Sequence, residues 1–245
     1  MKKIFFPLLL IMSCTRLMAQ QKDESADQKN IVKINLFALA LKNISVQYER
    51  AVAKRVSVAG LVRLMPKSSL PMKSSIENAV DDPDTEKQIE NTRVGNFAFT
   101  PEVRYYIGKK GALHGFYIGG FGTIANYTAE LPYNYTDNGI SKSIAMSGHV
   151  TTFTGGIMFG SQWKLGKRVS LDWWILGPNY GSSNGKIIGQ TSLTPSEQTS
   201  LKKEFDGLDI PITKTSYIVD ANGATLFFKG PWAGVRSGLC LGFTF

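Results

Sequence analysis

The sequence predicts an all-β protein: an antiparallel transmembrane β-barrel of about eight strands, with one short helix and a hairpin in the last extracellular loop. Three observations lead there. From Ile31 onward, apolar residues alternate with small or polar ones, the two-residue period of a strand with unlike faces. The connections alternate between short and long, as in barrels with short periplasmic turns and longer extracellular loops. The chain also closes on "WAGVRSGLCLGFTF", where Val235, Leu239, Leu241 and Phe243 alternate with small and polar residues up to a final Phe245. Soluble chains usually let such an end fray in polar residues.

The elements follow in order. "IVKINLFALA" reads as a first strand, "ISVQYERAV" as a second after Lys42 and Asn43, and "RVSVAGLVRLM" as a third after the Ala53-Lys54 corner. A long polar connection, "PKSSLPMKSSIENAVDDPDTEKQIENTR", precedes the fourth, "NFAFTPEVRYYI". "GKKGALHG" turns into the fifth, "FYIGGFGTIANY", and a Tyr- and Asn-rich loop runs to about Ala145. "HVTTFTGGIMFGSQW" is the sixth strand, "KLGKR" a turn and "VSLDWWILG" the seventh. The last long segment, Asn179 to about Pro231, holds the helix, since Thr194 is an N-cap, Pro195 the first helical residue, Glu197 the partner of a capping box and Gly207 a stop. It also holds a hairpin, "ITKTSYIV" and "ATLFF" around Asp220-Ala221-Asn222-Gly223. Two more spanning strands there would make ten, but "ATLFFKG" runs almost straight into the closing strand, which favours eight.

Residues 1–19 read as a secretory signal peptide, with basic Lys2 and Lys3, an apolar run from Ile4 to Met12 and a small Ala19 for cleavage. The run is much shorter than the roughly 20 residues that span a bilayer as a helix. The rival reading of "IMSC" makes Cys14 a lipidated first residue. Residues 20–30 are then an N-terminal periplasmic lead and 31–245 the barrel domain of an exported protein of a Gram-negative outer membrane. The formal charge of +9 falls to about +6 when Lys2, Lys3 and Arg16 leave with the signal (9 − 3). It is spread along the chain without a basic tract, so nucleic acid is not expected as a partner. With Cys14 removed, Cys240 has no disulfide partner and must be shielded or harmless.

Lys33, Glu49, Arg63, Glu102, Arg104, Asp172 and Arg236 all fall on the polar faces of their strands. Inside a barrel they form an interior charge network, with Glu49, Glu102 and Asp172 as partners for Arg63, Arg104 and Arg236. About eight strands enclose a lumen that side chains can fill, so the network reads as a plug; the alternative is a selectivity lining for a narrow pore. Tyr105, Tyr106, Trp163, Trp173 and Trp174 lie near strand ends, where an interfacial aromatic girdle belongs.

The closing alternation ending in Phe resembles the C-terminal signal of outer-membrane barrels. That resemblance implies that Leu239, Leu241, Phe243 and Phe245 address the chain to the barrel-assembly machinery. "NLFALALKNISVQYERAV", "VRLMPKSSLP", "WWILGPNYG" and "DIPITKTSYIVDANGA" resemble stretches of small Bacteroidota outer-membrane barrel proteins of unknown function, of the OmpA-type eight-stranded family. The resemblance implies a location and a fold, with outer-membrane lipid and lipopolysaccharide as surroundings, and no activity.

Other constellations are weaker. Ser147 and His149, on one strand face, suit a nucleophile and base of a lipid-A-modifying barrel enzyme, but no orienting acid or oxyanion site is visible. Asp82, Asp84 and Glu86 could offer oxygens to calcium, yet the loop lacks the ligand and glycine pattern, and a solvated acidic loop is the simpler reading. Tyr127, Tyr133 and Tyr135, interleaved with Asn126, Asn134 and Asn138, suit either a recognition surface for an unknown extracellular ligand or an ordinary girdle. "GGFG" and "GSSNG" do not open a helix as a phosphate loop must, so no cofactor is expected. The sequence thus points to a monomer with a structural or surface-binding role, without enzyme chemistry.

Overall fold

The computed structural model of the chain describes residues 28–74, 83–208 and 212–245. The segment read as a signal peptide, with Cys14 and Ala19, lies outside the described residues, as do most of residues 20–30 and Asp82. Nine antiparallel strands share one sheet: β1 (Asn30–Asn35), β2 (Ile44–Ala53), β3 (Val56–Ser69), β4 (Arg93–Tyr106), β5 (Gly115–Asp137), β6 (Ile140–Lys164), β7 (Val169–Gln190), β8 (Lys214–Asp220) and β9 (Gly223–Thr244). Their order is β1-β2-β3-β4-β5-β6-β7-β9-β8, and β1 also pairs with β9. Eight strands therefore close a ring, while β8 continues the wall as a flap on the distal part of β9. One continuous β9 runs through "ATLFF" into the closing strand, as its sequence suggested.

Successive side chains along a strand point to opposite faces, so each strand of the ring has an inner and an outer set. On β4 the outer set is Phe97, Phe99, Val103 and Tyr105, all exposed, and the inner set includes Thr100, Glu102, Arg104 and Tyr106, all buried. The pattern is inverted relative to a soluble barrel: charge inside, hydrocarbon outside. On β6 the two faces exchange character partway. Phe153, Ile157 and Phe159 are exposed on its outer face near the base, whereas farther along that face come Ser143, Ser147 and His149, also exposed. On the inner face of the same distal stretch lie buried Ile144 and Met146. The outer apolar surface is thus a belt of about nine residues per strand, with a polar outer wall beyond it.

Above the belt a second core forms. Helix α3 (Pro195–Asp206; α1 and α2 are given below) packs Leu201 and Phe205 against Tyr135, Ile144, Met146, Val219 and Leu226. Its start is the capping box read from sequence: Glu197 N donates to Thr194 Oγ1 at 3.3 Å, and Thr194 N to Glu197 Oε2 at 2.7 Å. Pro195 and Gly207 occupy the first and capping positions as expected.

Several expectations are corrected. The first strand stops at Asn35; "LFALA" is a helix, α1 (Leu36–Ala40), because the Asn35 side chain accepts from Phe37 N and Ala38 N and turns the chain out of the ladder. The polar third connection contains α2 (Pro83–Asn91), which places Asp84 and Glu86 on a helix and not in a liganding loop. The Tyr- and Asn-rich loop is a ladder running to a two-residue turn at Asn138-Gly139, both with positive φ (49° and 78°), the signature of a tight I′ hairpin. "GSSNG" is strand as well, within β7. The long wall on this side therefore replaces two predicted loops.

Candidate functional site

A layer of side chains fills the ring near its base, and every strand of the ring contributes to it. Lys33 Nζ from β1 bonds Glu49 of β2 and, at 2.5 Å, Asp172 Oδ2 of β7. Arg104 of β4 reaches Glu102 Oε1 through Nε at 2.6 Å, and Asp172 Oδ2 and Glu49 Oε2 through Nη1 at 2.7 and 3.2 Å. Ser57 of β3 donates to Glu49, and Tyr117 of β5 donates to Asp172 Oδ1 at 2.9 Å. Gln162 Oε1 of β6 accepts from Lys33 Nζ at 3.0 Å and from Tyr106 OH at 2.8 Å. Arg236 of β9 closes the circuit by donating Nη1 to Glu102 Oε2 at 2.8 Å.

The layer holds three cations (Lys33, Arg104, Arg236) and three carboxylates (Glu49, Glu102, Asp172). Charges taken out of water are tolerated only when paired and bonded, which is the arrangement here. Aromatic rings complete it. The Arg104 guanidinium lies 4.3 Å over the Tyr117 ring, and that of Arg236 lies 4.1 Å over Trp174 and 5.1 Å over Phe121. Gly160 makes room, since a Cβ there would stand 2.3 Å from Tyr117 OH. Cys240 is a free thiol buried in the same layer's apolar margin.

Six of the seven charged residues read from sequence meet in this layer. Arg63 does not. It points inward from β3 but bonds the neutral Asn96 Oδ1 at 2.8 Å and Tyr127 OH at 3.2 Å, nearer the distal end, and makes no ion pair among the described residues. Tyr127 stacks on Trp232 of β9 with ring centroids 5.2 Å apart, so a bridge of side chains crosses the lumen from β3 to β9. Between bridge and layer lies a cavity of about 370 Å³, lined by Arg63, Tyr127 and Trp232 on one side and by Phe121, Trp174 and Arg236 on the other.

Proximity in sequence groups the adjacent aromatics as girdle members; alternation separates them. Tyr105 is 46% exposed and Tyr106 0%, Trp173 45% and Trp174 1%. Tyr105 and Trp173 are outside, while Tyr106 and Trp174 belong to the lumen. Tyr127 and Tyr135 are likewise turned inward, so they offer no external recognition surface; Tyr135 packs in the distal core. Gln47, Gln162 and Ser57, members of the layer, carry no charge to mark them in the sequence; only their inward register points to them. Ser147 and His149 share the outer face, but no hydrogen bond joins them, and His149 lines a groove of about 460 Å³ on the outer wall with Lys186 and Phe227. Among the described residues no group of three His, Cys, Asp or Glu could hold a metal ion.

These features define a class: a closed antiparallel β-barrel with a filled, ion-paired lumen. The chain belongs to a family described as proteins of unknown function, DUF3575, whose model matches residues 5–186. The match ends within β7, ahead of α3, β8 and β9. No curated protein matches the chain, and no solved structure does.

Proposed function

We propose that the protein is a monomeric outer-membrane β-barrel of a Gram-negative bacterium, exported by its N-terminal signal, with a plugged lumen and a structural or surface-binding role at its distal end. The observation that carries this reading is the inverted barrel. An outer face of Phe97, Phe99, Val103 and Tyr105 over nine residues of β4 suits lipid, because a tilted strand crosses the hydrocarbon in about 9–11 residues. The polar outer face beyond it on β6 suits water. A closed ring also leaves no open sheet edge at its base, as a bilayer demands. The resemblance of the closing strand to barrel-assembly signals supports the same location, with lipopolysaccharide and lipid as its neighbours.

Within this reading the layer around Arg104 is a wall and not a gate, since ions and their partners balance and occupy the whole cross-section. No step of catalysis is assigned. The test is refolding into detergent, a heat-dependent shift in gel mobility to confirm the barrel, and then planar-bilayer recording. A shifted band with a silent bilayer supports a plugged barrel. Discrete conductance steps would replace the plug with a narrow pore lined by Arg63, Glu102 and Arg104.

A further inference from the structure

The ring has a notch in its wall. β1 pairs with β9 only from Asn35↔Cys240 down to Ile31↔Thr244, and β8 pairs with β9 only from Lys214↔Lys229 outward. Between these ladders, residues 230–239 of β9 have no strand partner on that edge among the described residues. On the far side of the notch β2 begins at Ile44, opposite Leu64, so β3 rises beyond it to Ser69 without a strand partner on that edge among the described residues. The sill of the notch is α1. All five of its residues are apolar, none is buried, and Leu36, Phe37 and Leu39 are exposed. Its seat is specific: the Asn35 side chain that caps it lies where a Cβ on Gly238 would stand 2.4 Å away.

The sill joins two environments. Phe37, Ala38 and Leu41 line the cavity above the ion-pair layer, while Leu36 and Leu39 are not among its walls. The cavity itself is cationic. The three acids and three bases of the layer cancel, which leaves Arg63 without a compensating acid among the described residues. Arg236 spends Nη1 on Glu102, and its Nε and Nη2 are buried without hydrogen-bond partners. An apolar threshold leading to a pair of arginines with unspent donors is complementary to one ligand chemistry, an anionic head on a hydrocarbon chain.

We propose that this cavity binds a long-chain carboxylate, its head between Arg63 and Arg236 and its chain passing through the notch across α1. The inference rests on the membrane reading, because the chain's outer half needs hydrocarbon beside Leu36 and Leu39. The site asks for one chain, since the notch opens over a single five-residue helix.

The experiment uses the full mature chain refolded in nanodiscs of zwitterionic lipid, with gel mobility as the check on folding. The probe is a fluorescent undecanoic acid, titrated beside the matching alcohol and competed with hexanoate. Saturable binding of the acid, at least tenfold weaker for the alcohol and for Arg63→Gln, is the expected result. Phe37→Asp, outside every ladder, is expected to weaken binding tenfold as well and serves if Arg63→Gln does not fold. Equal binding of acid and alcohol, equal competition by hexanoate, or no saturable binding to a folded barrel overturns the proposal. Quenching by brominated lipid, in the same nanodiscs, of a variant retaining only Trp173 separates the two failures: a quenched protein that does not bind overturns this inference alone, and an unquenched one overturns the membrane reading.

Discussion

Arg104 Nη1 donates to Asp172 Oδ2 at 2.7 Å, joining β4 to β7, two strands that are not neighbours in the ring. Backbone ladders tie each strand only to the next, so contacts of this kind fix the cross-section. Both side chains are fully buried, and Arg104 also serves Glu102 and Glu49. Replacing Arg104 leaves three buried carboxylates short of a cation.

Arg104→Met is therefore expected to destabilise the barrel by about 3–5 kcal/mol, the usual cost of removing one partner from a buried ion pair. Arg63→Ala, which gives up bonds to neutral Asn96 and Tyr127, is expected to cost about 1 kcal/mol. Urea unfolding in detergent, followed by gel mobility, measures both. Equal losses would mean that Arg104 is not the centre of the layer.

The distal helix reports on pH. Lys142 Nζ donates to Glu197 at 2.8 Å, and chiefly this bond, with the Thr194 cap, holds the Glu197 carboxyl down at about 2 from an ordinary 4.5. Asp137 is also held low, first by the Ser196 hydroxyl, and Lys142 is raised above 10.5 by its bond to Glu197. A depressed carboxylate contributes stability that is complete above its unfolded value and is lost as pH falls through its folded value; a raised lysine contributes below its unfolded value and loses it as pH rises. The methyl signals of Leu201 should hold steady from about pH 5 to about pH 10 and change as pH falls from about 4.5 toward 2. Glu197→Gln should flatten much of the acid limb.

Helix α3 packs on the distal core without belonging to the ring. Leu201→Ala is expected to cost about 2–5 kcal/mol of local stability, and Thr194→Ala about 1 kcal/mol through the lost cap. Proteolysis within 193–208 should accelerate in both variants, while the heat-dependent gel shift of the barrel stays unchanged. Loss of the shift would show that cap and ring fold as one unit.

Phe245 extends the closing ladder to the first strand, since Asn30 N donates to Phe245 O at 3.1 Å and Phe245 N to Asn30 O at 2.9 Å. Deleting Phe245 is expected to lower outer-membrane levels in cells several-fold while still permitting refolding in detergent. Unaltered cellular levels would count against the proposed role of the closing strand as an address.

Much of this was legible because a two-residue period assigns faces without knowing the fold. Lys33, Glu49, Glu102, Arg104, Asp172 and Arg236 could be placed together from parity alone. Parity applied consistently would also have sent Tyr106 and Trp174 inward, away from Tyr105 and Trp173. It fails where the chain leaves it. A bulge between Trp174 and Gly177 leaves Ile175 and Leu176 both exposed, and Asn35 converts an apolar strand pattern into a helix by capping it. The long walls were hidden for another reason. In the distal halves of β5, β6 and β7 the apolar residues face α3 and the polar ones face out, so a reader expecting a lipid belt sees loop. Glutamines at 47 and 162 carry no charge to mark them, and their role depends on the register of β1 and β4, which hold their partners.

The central claim is that outward side chains of the ring meet lipid while inward ones do not, and neighbouring tryptophans test it in one measurement. The chain has four, Trp163, Trp173, Trp174 and Trp232, so variants retaining only Trp173 or only Trp174 can be refolded into vesicles of acyl-brominated lipid. Strong quenching of Trp173 with Trp174 left bright is the predicted result. Equal quenching of the two, or quenching of Trp174 alone, would contradict the inverted barrel.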